Sequence, residues 1–225
     1  MILIAKLKAI WFRFRYLFRS YPNRIQRLIR CFDFYWYPQF KYLIKSPVDW
    51  MVFCVLVIFD LLAIPEVLEI LHELVKWKLK DLSHREAKLL DEVFAGKLSL
   101  EGIRLDAQAV LGPKQWGIAY VSFHTINSYG PISLRLLIHE LVHIWQYKRF
   151  GSYYIIKALK AQNSKEAYNY RSINDLDQSI ESNTLLISFN FEQQASIIED
   201  VFYKRLMQSK PEHIRRYQYF IEQLA

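Results

Sequence analysis

The spacing of apolar residues separates an N-terminal part without a clear period from a later part with ordinary helix and strand patterns. In residues 1–47, aromatic and basic side chains follow one another without settling into period 3.6 or period 2, and we expect a mostly helical segment. Residues 50–64 form an apolar run that only Asp60 interrupts. This run is shorter than the roughly 18–20 residues of a spanning helix, so a buried hairpin, a re-entrant segment, a short tilted span and a core helix all stay open.

From residue 80 onward the pattern becomes that of a globular domain. The run SHREAKLLDEVFAG begins with a capping box, in which Ser83 and Glu86 each accept from the other's backbone N–H, and it ends at Gly96. This run predicts a helix. Residues 100–110 and 116–127 carry β-branched and aromatic side chains between glycines, which predicts strands.

A turn at SYGPIS then leads into a helix that begins near Ser133, and the chain from Ser152 onward is almost wholly helical in pattern. These elements predict a predominantly helical α+β fold, with a small antiparallel sheet packed on the helix after Ser133. We expect three parts, which are a basic and aromatic segment at 1–47, an apolar helical anchor or hairpin at 48–79, and a globular domain at 80–225.

The positive charge of the chain is confined to its first fifty residues. Residues 1–50 carry ten Lys/Arg against two acidic residues, whereas the other 175 carry twenty of each, so the first fifty account for the whole net charge of +8. Arginines among aromatic rings suit nucleic acid or a membrane interface, and the apolar run that follows favours the membrane. We therefore expect residues 1–79 to bind a membrane surface or bilayer, and nucleic acid is the disfavoured alternative.

The expected location of the protein depends on whether the apolar run at residues 50–64 crosses a bilayer. If the run crosses a bilayer, the upstream cations keep the N-terminus cytoplasmic. If it is a core helix, the protein is soluble and cytoplasmic. The N-terminus lacks the pattern of a removable signal peptide. Cys31 and Cys54 make neither a metal-spaced pair nor a disulfide framework, and we expect both to be free.

The tetrapeptide HELV occurs twice, and the residue that follows it decides whether it carries chemistry. In the second copy, His139 and His143 are four residues apart, so on a helix both imidazoles face one metal ion and Glu140 can take a proton from its water. In the first copy, Lys76 stands where the second histidine is needed, and an ammonium group cannot bind zinc. We therefore expect a metal site at the second copy and only the end of an amphipathic helix after His72.

A catalytic zinc site needs a third protein ligand. The longer pattern HExxHxxGxxH is excluded, because Gln146 and Arg149 stand where it needs glycine and histidine. The third ligand must then come from a later helix, and a carboxylate is the usual choice. The later acidic candidates include Glu166, Asp175, Asp177, Glu181, Glu192, Glu199 and Asp200.

The run NFEQQASIIEDVFY differs from the other acidic stretches because its polar residues share one helical face. Glu192, Ser196, Glu199 and Asp200 fall at i, i+4, i+7 and i+8, and Ala195 allows close approach to the motif helix. We favour Glu192 as the third ligand. Either Asp200 or Glu199 is expected to hold a ligating imidazole through its other nitrogen.

With these residues in place, a resemblance to a known family can be named. LLIHELVHIWQY, with AYNY and FEQQASIIEDVFY downstream, resembles the gluzincin-type zinc metallopeptidases. More narrowly, it resembles the metallopeptidase domains of Vgr-related bacterial proteins, whose motif helix reads HELxHxxQ and which carry a later EQQA-type helix. The likeness covers roughly residues 100–205. It implies His139, His143 and Glu192 as zinc ligands and Glu140 as general base.

The resemblance also implies an activity, which is hydrolysis of a peptide or protein bond by zinc-activated water. Together with the expectation for residues 1–79, this places the activity next to a membrane. Tyr168 or Tyr170 is implied as the donor to the oxyanion. The chain departs from well-studied gluzincins in lacking the NExxSD form, since Ser196 and Asp200 are spaced more widely. His124 is a further available donor, but we expect it to be a plain strand-edge residue. Gln146 is expected to pack or hydrogen-bond behind the site.

The alternative function is a non-catalytic one. In that case zinc at this site only stabilises the fold. The protein would then be a membrane-associated adaptor or a module that resembles a secreted effector. A fourth protein ligand closing the metal would indicate structure, whereas a water in that position would indicate catalysis.

Overall fold

The computed structural model describes residues 2–32 and 44–224, and helices form most of this part of the chain. The helices are α1 (Ile2–Phe32), α2 (Pro47–Leu61), α3 (Ile64–Val75), α4 (His84–Phe94), α5 (Leu134–Phe150), α6 (Tyr153–Gln162), α7 (Asp175–Glu181), α8 (Phe191–Met207) and α9 (Pro211–Ile221). The strands are β1 (Lys80–Asp81), β2 (Arg104–Asp106), β3 (Tyr120–Ser122) and β4 (Thr125–Asn127). The predicted class, a predominantly helical α+β fold, is confirmed.

Side-chain caps explain where several helices begin. The Ser83 hydroxyl accepts from the backbone N–H of Glu86, whose carboxylate accepts from Ser83 in return, so the predicted capping box is confirmed. The Ser133 hydroxyl accepts from the backbone N–H of Leu136 and starts α5 at the predicted position. A second capping box, between Asn190 and Gln193, starts α8. These caps fix the register of the two helices that carry the site.

The sheet is mixed rather than antiparallel, which corrects the prediction. Its strand order is β1-β2-β4-β3, and β2 pairs with β4 in parallel while the other two pairs are antiparallel. Strands β3 and β4 form a hairpin, so they run in opposite directions. The second strand of this hairpin, β4, lies beside β2 and runs parallel to it. Strand β3 is therefore left at the edge of the sheet.

The core forms where α5 packs on α8. Ala195 is fully buried in this contact, and its small side chain lets the two helices approach closely, as predicted. The contact buries Leu137, Ile138, Leu141, Val142 and Ile144 of α5 and Ile197, Ile198 and Val201 of α8. Burial of this much apolar surface holds the motif helix in place.

The end of the motif helix is joined to α2. Asp60, in the last turn of α2, accepts hydrogen bonds from the backbone N–H of Ser152 at 3.1 Å and from its hydroxyl at 2.5 Å. Gly151 follows α5 with a φ of 66°, and a Cβ there would lie 2.0 Å from Oδ2 of Asp60. Both the backbone conformation and the close approach of the carboxylate therefore require glycine.

The N-terminal helices pack on one another and on the rest of the chain. Helix α1 contacts both α2 and α3, and α2 also contacts α6. The helix predicted within 1–47 is present over 2–32, and residues 33–43 lie outside the described part of the chain. Within the described residues, no single helix is long and apolar enough to cross a membrane, but α2 and α3 together, bent by 58°, meet that test by length and composition.

Candidate metal centre

Three buried side chains on two helices converge on one point. His139 and His143 lie one turn apart on α5, and Glu192 projects from the first turn of α8. Oε2 of Glu192 lies 3.2 Å from Nε2 of His139 and 3.4 Å from Nε2 of His143. One ligand atom from each of the three residues lies within 4.8 Å of the other two. The fold therefore brings together the three predicted ligands.

The outward nitrogen of each imidazole has an acceptor. Nδ1 of His139 lies 3.0 Å from Oε2 of Glu199, and Nδ1 of His143 lies 2.7 Å from Oε1 of Gln146. The Gln146 amide is oriented by its own Nε2, which donates to the carbonyl of Phe191 at 2.9 Å. With these acceptors each Nδ1 carries a hydrogen, so each Nε2 presents a lone pair to the point of convergence.

This arrangement favours a positive charge at that point. Two imidazole lone pairs and a carboxylate oxygen are all acceptors, so they repel one another unless a proton or a metal cation lies between them. Burial opposes a charged His139, but its hydrogen bonds to Glu192 and Glu199 outweigh burial and raise its pKa to about 10. Burial of Glu192 is likewise outweighed by hydrogen bonds from both histidines, which lower its pKa to about 2. Two imidazoles and a carboxylate suit Zn²⁺ as a donor set.

Glu140 lies beside the ligands and lines the same cleft. It is 4% exposed, and its Oε2 atom has no hydrogen-bond partner among the residues that the structure describes. Burial raises the pKa of Glu140, although the nearby His143 and His139 act in the opposite direction. A buried carboxylate with a free oxygen next to two metal ligands is suited to receive a proton.

The two candidates for holding an imidazole have different partners. Glu199 contacts Nδ1 of His139, whereas Asp200 accepts from the Tyr170 hydroxyl at 2.6 Å. Both carboxylates also pair with Arg135, which was not foreseen. A signal for Arg135 exists in the sequence, because it lies four residues before His139 and therefore on the same face of α5.

The two candidate tyrosines have different surroundings. Tyr168 lines the cleft, with its ring centroid 5.9 Å from that of His139. Tyr170 instead donates its hydroxyl hydrogen to Asp200. Burial raises the pKa of both phenols, so both remain hydrogen-bond donors at neutral pH. Tyr168 is the one placed to contact a molecule in the cleft.

His124 is not a strand-edge residue, which corrects that expectation. It is fully buried in the turn between β3 and β4, and its Nδ1 lies 3.0 Å from Oε2 of Glu69 on α3. Its ring packs edge-on against Tyr16 and Tyr147. Burial lowers the pKa of His124 to about 4, in spite of Glu69. This histidine therefore belongs to the packing between α1, α3 and the sheet.

The first HELV copy lies at the end of α3, away from the metal centre. Nε2 of His72 lies 3.6 Å from Oδ2 of Asp106, and Nζ of Lys76 lies 3.0 Å from the same oxygen. Lys76 is the residue at which α3 ends. The expectation that this copy is the end of an amphipathic helix agrees with these contacts.

The metal centre opens into a cleft of about 980 Å³. One wall is the edge of the sheet and the loop before it, at residues 115–121, and the other is helix α6. Most of the wall is apolar, with Trp116, Ile118, Ile155 and Leu159 among the lining residues. Tyr154, which also lines the cleft, donates from its hydroxyl to the Val121 carbonyl at 2.7 Å and so ties the two walls together.

We expect the replacement of Glu199 by Ala to weaken zinc binding by about 10- to 100-fold, because His139 loses the acceptor that fixes its ring and its tautomer. Competition with a chromogenic zinc chelator measures the change. The control is Asp200→Asn, because Asp200 contacts Arg135 and Tyr170 and neither imidazole. Equal losses in both variants would contradict the positioning role of Glu199.

The chain was compared with known proteins at three levels. No protein-family model matches it, and no curated protein and no solved structure matches it significantly. The likeness to gluzincins therefore stays a prediction, which rests on the motif residues and on the geometry of His139, His143 and Glu192.

Proposed function

We propose that this protein is a zinc-dependent peptide hydrolase. The observation that carries the proposal is the convergence of Nε2 of His139, Nε2 of His143 and a Glu192 oxygen on one point, beside Glu140 and open to a cleft. Zinc held by these three groups would lower the pKa of a bound water toward about 7 and would polarise the carbonyl of the scissile bond.

The protein's own side chains supply the remaining steps. The Glu140 carboxylate accepts a proton from the attacking water and passes it to the amine nitrogen as the C–N bond breaks. A buried carboxylate with a raised pKa is suited to both steps, because it holds the proton between them. The Tyr168 hydroxyl is available in the cleft to donate to the oxyanion.

The open cleft favours catalysis over a purely structural metal. A structural zinc is usually closed by four protein ligands. Among residues 2–32 and 44–224, three side chains offer ligand atoms close enough to share an ion, and these three line the cleft. A metal ion held by these three side chains would therefore be accessible from the cleft.

The sheet edge beside the cleft supports a peptide as substrate. In the described chain, β3 pairs with β4 on one side only, and Tyr120 and Val121 of β3 line the cleft. An extended peptide can pair with a free strand edge through its main chain, whereas its side chains enter neighbouring pockets. Apolar walls at Trp116 and Leu159 suit a substrate with large apolar side chains.

Metal removal tests the proposal. We expect about one zinc per chain, and we expect a chelator to abolish hydrolysis of quenched fluorescent peptides with apolar side chains, with recovery on zinc addition. Glu192→Ala should lose both zinc and activity. The control is Glu181→Ala, an exposed carboxylate on α7. A chain that binds zinc tightly, unfolds without it and cleaves no peptide would instead support the adaptor function.

A further inference from the structure

Helix α1 buries several of its charged residues and exposes most of its large apolar residues. Arg13 and Arg24 are 2% and 1% exposed, whereas Trp11 and Phe18 are 67% and 75% exposed. Both sets recur at helical spacing, on different faces of the helix. This order is the reverse of that expected for a helix on a protein surface in water.

Helices α2 and α3 have the same reversed arrangement. On α3, Glu66, Glu69 and Glu73 are buried, whereas Leu71 and Leu74 are about half exposed. On α2, Asp49 and Asp60 are buried, and Val48, Met51, Val55 and Ile58 are exposed. In the described chain, residues 3–77 contribute twenty-one of the thirty-five exposed large hydrophobic side chains. The apolar exposure is thus concentrated on three helices.

The buried charges of these helices pair with one another. Arg13 pairs with Glu69 at 3.2 Å, and Arg24 forms a two-point contact with Glu66, one of whose hydrogen bonds is 3.1 Å long. Arg104 of the sheet pairs with Glu73 at 2.8 Å. Such inward pairing is how charged side chains are accommodated in proteins whose outer surface meets lipid.

The exposed faces of the three helices adjoin. The Tyr21 hydroxyl donates to the Leu61 carbonyl at the end of α2, and Nζ of Lys6 donates to the Leu74 carbonyl near the end of α3. Helix α1 thus contacts α2 and α3 near their ends, and α2 also contacts α3. We call the exposed apolar side chains between Leu3 and Trp77 on these helices the outer face.

The exposed, unpaired charges that the described part of residues 2–80 carries have one sign. Within the described part of residues 2–80, every acidic side chain is buried. Five cations of the same segment are exposed and have no ion-pair partner among the described residues. They are Lys8, Arg19, Lys45, Lys78 and Lys80. An apolar surface whose own exposed, unpaired charges are cations is complementary to anionic phospholipid.

We propose that the outer face binds the protein to an anionic phospholipid bilayer, with α1, α2 and α3 lying along the membrane surface. The opposite faces of these helices pack on one another and on the rest of the chain, so lipid can reach one side of the layer only. A second copy of the chain is a poor occupant, because a symmetric contact would bring the same cations face to face. The proposal does not rest on the metal centre.

Vesicle flotation of the full chain tests this proposal. We expect binding to vesicles of phosphatidylcholine and phosphatidylglycerol, and much weaker binding to phosphatidylcholine alone. The triple variant Leu7→Ser, Phe14→Ser, Phe18→Ser is expected to lose about a hundredfold or more in partition coefficient, since three apolar side chains no longer enter the interface. All three side chains are about half exposed or more, so the thermal unfolding midpoint should fall by only about a few degrees and the variant should stay folded.

Matched variants separate the outer face from a general loss of apolar or basic surface. Leu185→Ser, Leu206→Ser, Met207→Ser removes three exposed apolar side chains elsewhere and should bind like the unaltered chain. Lys78→Glu, Lys80→Glu is expected to lose about tenfold or more on anionic vesicles. The control is the double variant Lys204→Glu, Lys210→Glu. Both lysines are exposed and lie outside the three outer helices, so this variant should lose much less vesicle binding.

The outcomes that overturn the proposal are specific. Folded protein that floats with neither vesicle, or equal losses in the outer-face and control variants, would overturn it. A soluble dimer that does not bind vesicles and that dissociates in the Leu7, Phe14, Phe18 variant would also overturn it. Sedimentation measures the oligomeric state. Equal binding to vesicles with and without phosphatidylglycerol would overturn the assignment of an anionic bilayer. Zinc removal should leave flotation unchanged, so the result is independent of hydrolysis.

Discussion

Replacement of Glu140 by Gln is expected to lower kcat for peptide hydrolysis by about 10²- to 10⁴-fold and to leave the zinc content unchanged. Glutamine has nearly the shape of glutamate, so the ligands His139 and His143 keep their packing. An amide cannot accept the proton of the attacking water at neutral pH. In the proposed mechanism the buried Glu140 carboxylate accepts this proton, and its Oε2 atom has no hydrogen-bond partner among the described residues.

Two measurements on each sample decide this prediction. Zinc per chain is measured by atomic absorption, and hydrolysis is measured with the same peptide at saturating concentration. Glu181→Gln, an exposed carboxylate on α7, serves as the control. Full activity in Glu140→Gln would remove Glu140 as the base, whereas joint loss of zinc and activity would give it a structural role.

Replacement of Arg24 by Ala is expected to lower the free energy of unfolding by about 3–5 kcal/mol, because Glu66 is left buried without its partner. Burial already raises the pKa of Glu66, and the hydrogen bonds from Arg24 act against that rise. Arg24 also donates to the Asp60 carbonyl, and its Nε donates to the Ser20 hydroxyl oxygen at 3.0 Å. The loss therefore affects the junction of α1, α2 and α3.

Urea denaturation followed by circular dichroism measures this change. Arg19→Ala, an exposed cation on the same helix, should alter the free energy of unfolding by about 0.5 kcal/mol or less. The double variant Arg24→Leu, Glu66→Leu should recover much of the loss, since it removes both buried charges. Equal effects of Arg24→Ala and Arg19→Ala on the free energy of unfolding would show that the loss of a buried partner costs no more than the loss of an exposed cation.

Most of the candidate metal centre could be predicted from the sequence, because three of its residues lie within two turns of one helix. His139, Glu140 and His143 are fixed by the spacing within one helix, and Glu192 stood out because its helix aligns several polar groups on one face. The choice between Glu199 and Asp200 could not be made, since it depends on the rotation of α8 against α5. Only the packed pair of helices shows which carboxylate reaches Nδ1 of His139.

Other features could not be predicted, because they depend on residues that are distant in the chain. The parallel pairing of β2 with β4 follows from how a hairpin docks, which strand propensity does not report. The helical period of α1 was hidden because its buried stripe is basic. Arg13 and Arg24 look like surface residues until Glu69 and Glu66, on another helix, are placed opposite them.

The contact between Asp60 and Ser152 has a mechanical consequence. Asp60 belongs to the helices that carry the outer face, and Ser152 directly follows the glycine that ends the motif helix. Because the backbone and the hydroxyl of Ser152 both bind this one carboxylate, a tilt of the motif helix relative to α2 would break these hydrogen bonds. Under both proposals, His139, His143 and Glu192 would sit at a set distance from the surface that the outer face binds, and only a bond that reaches this distance would be cleaved.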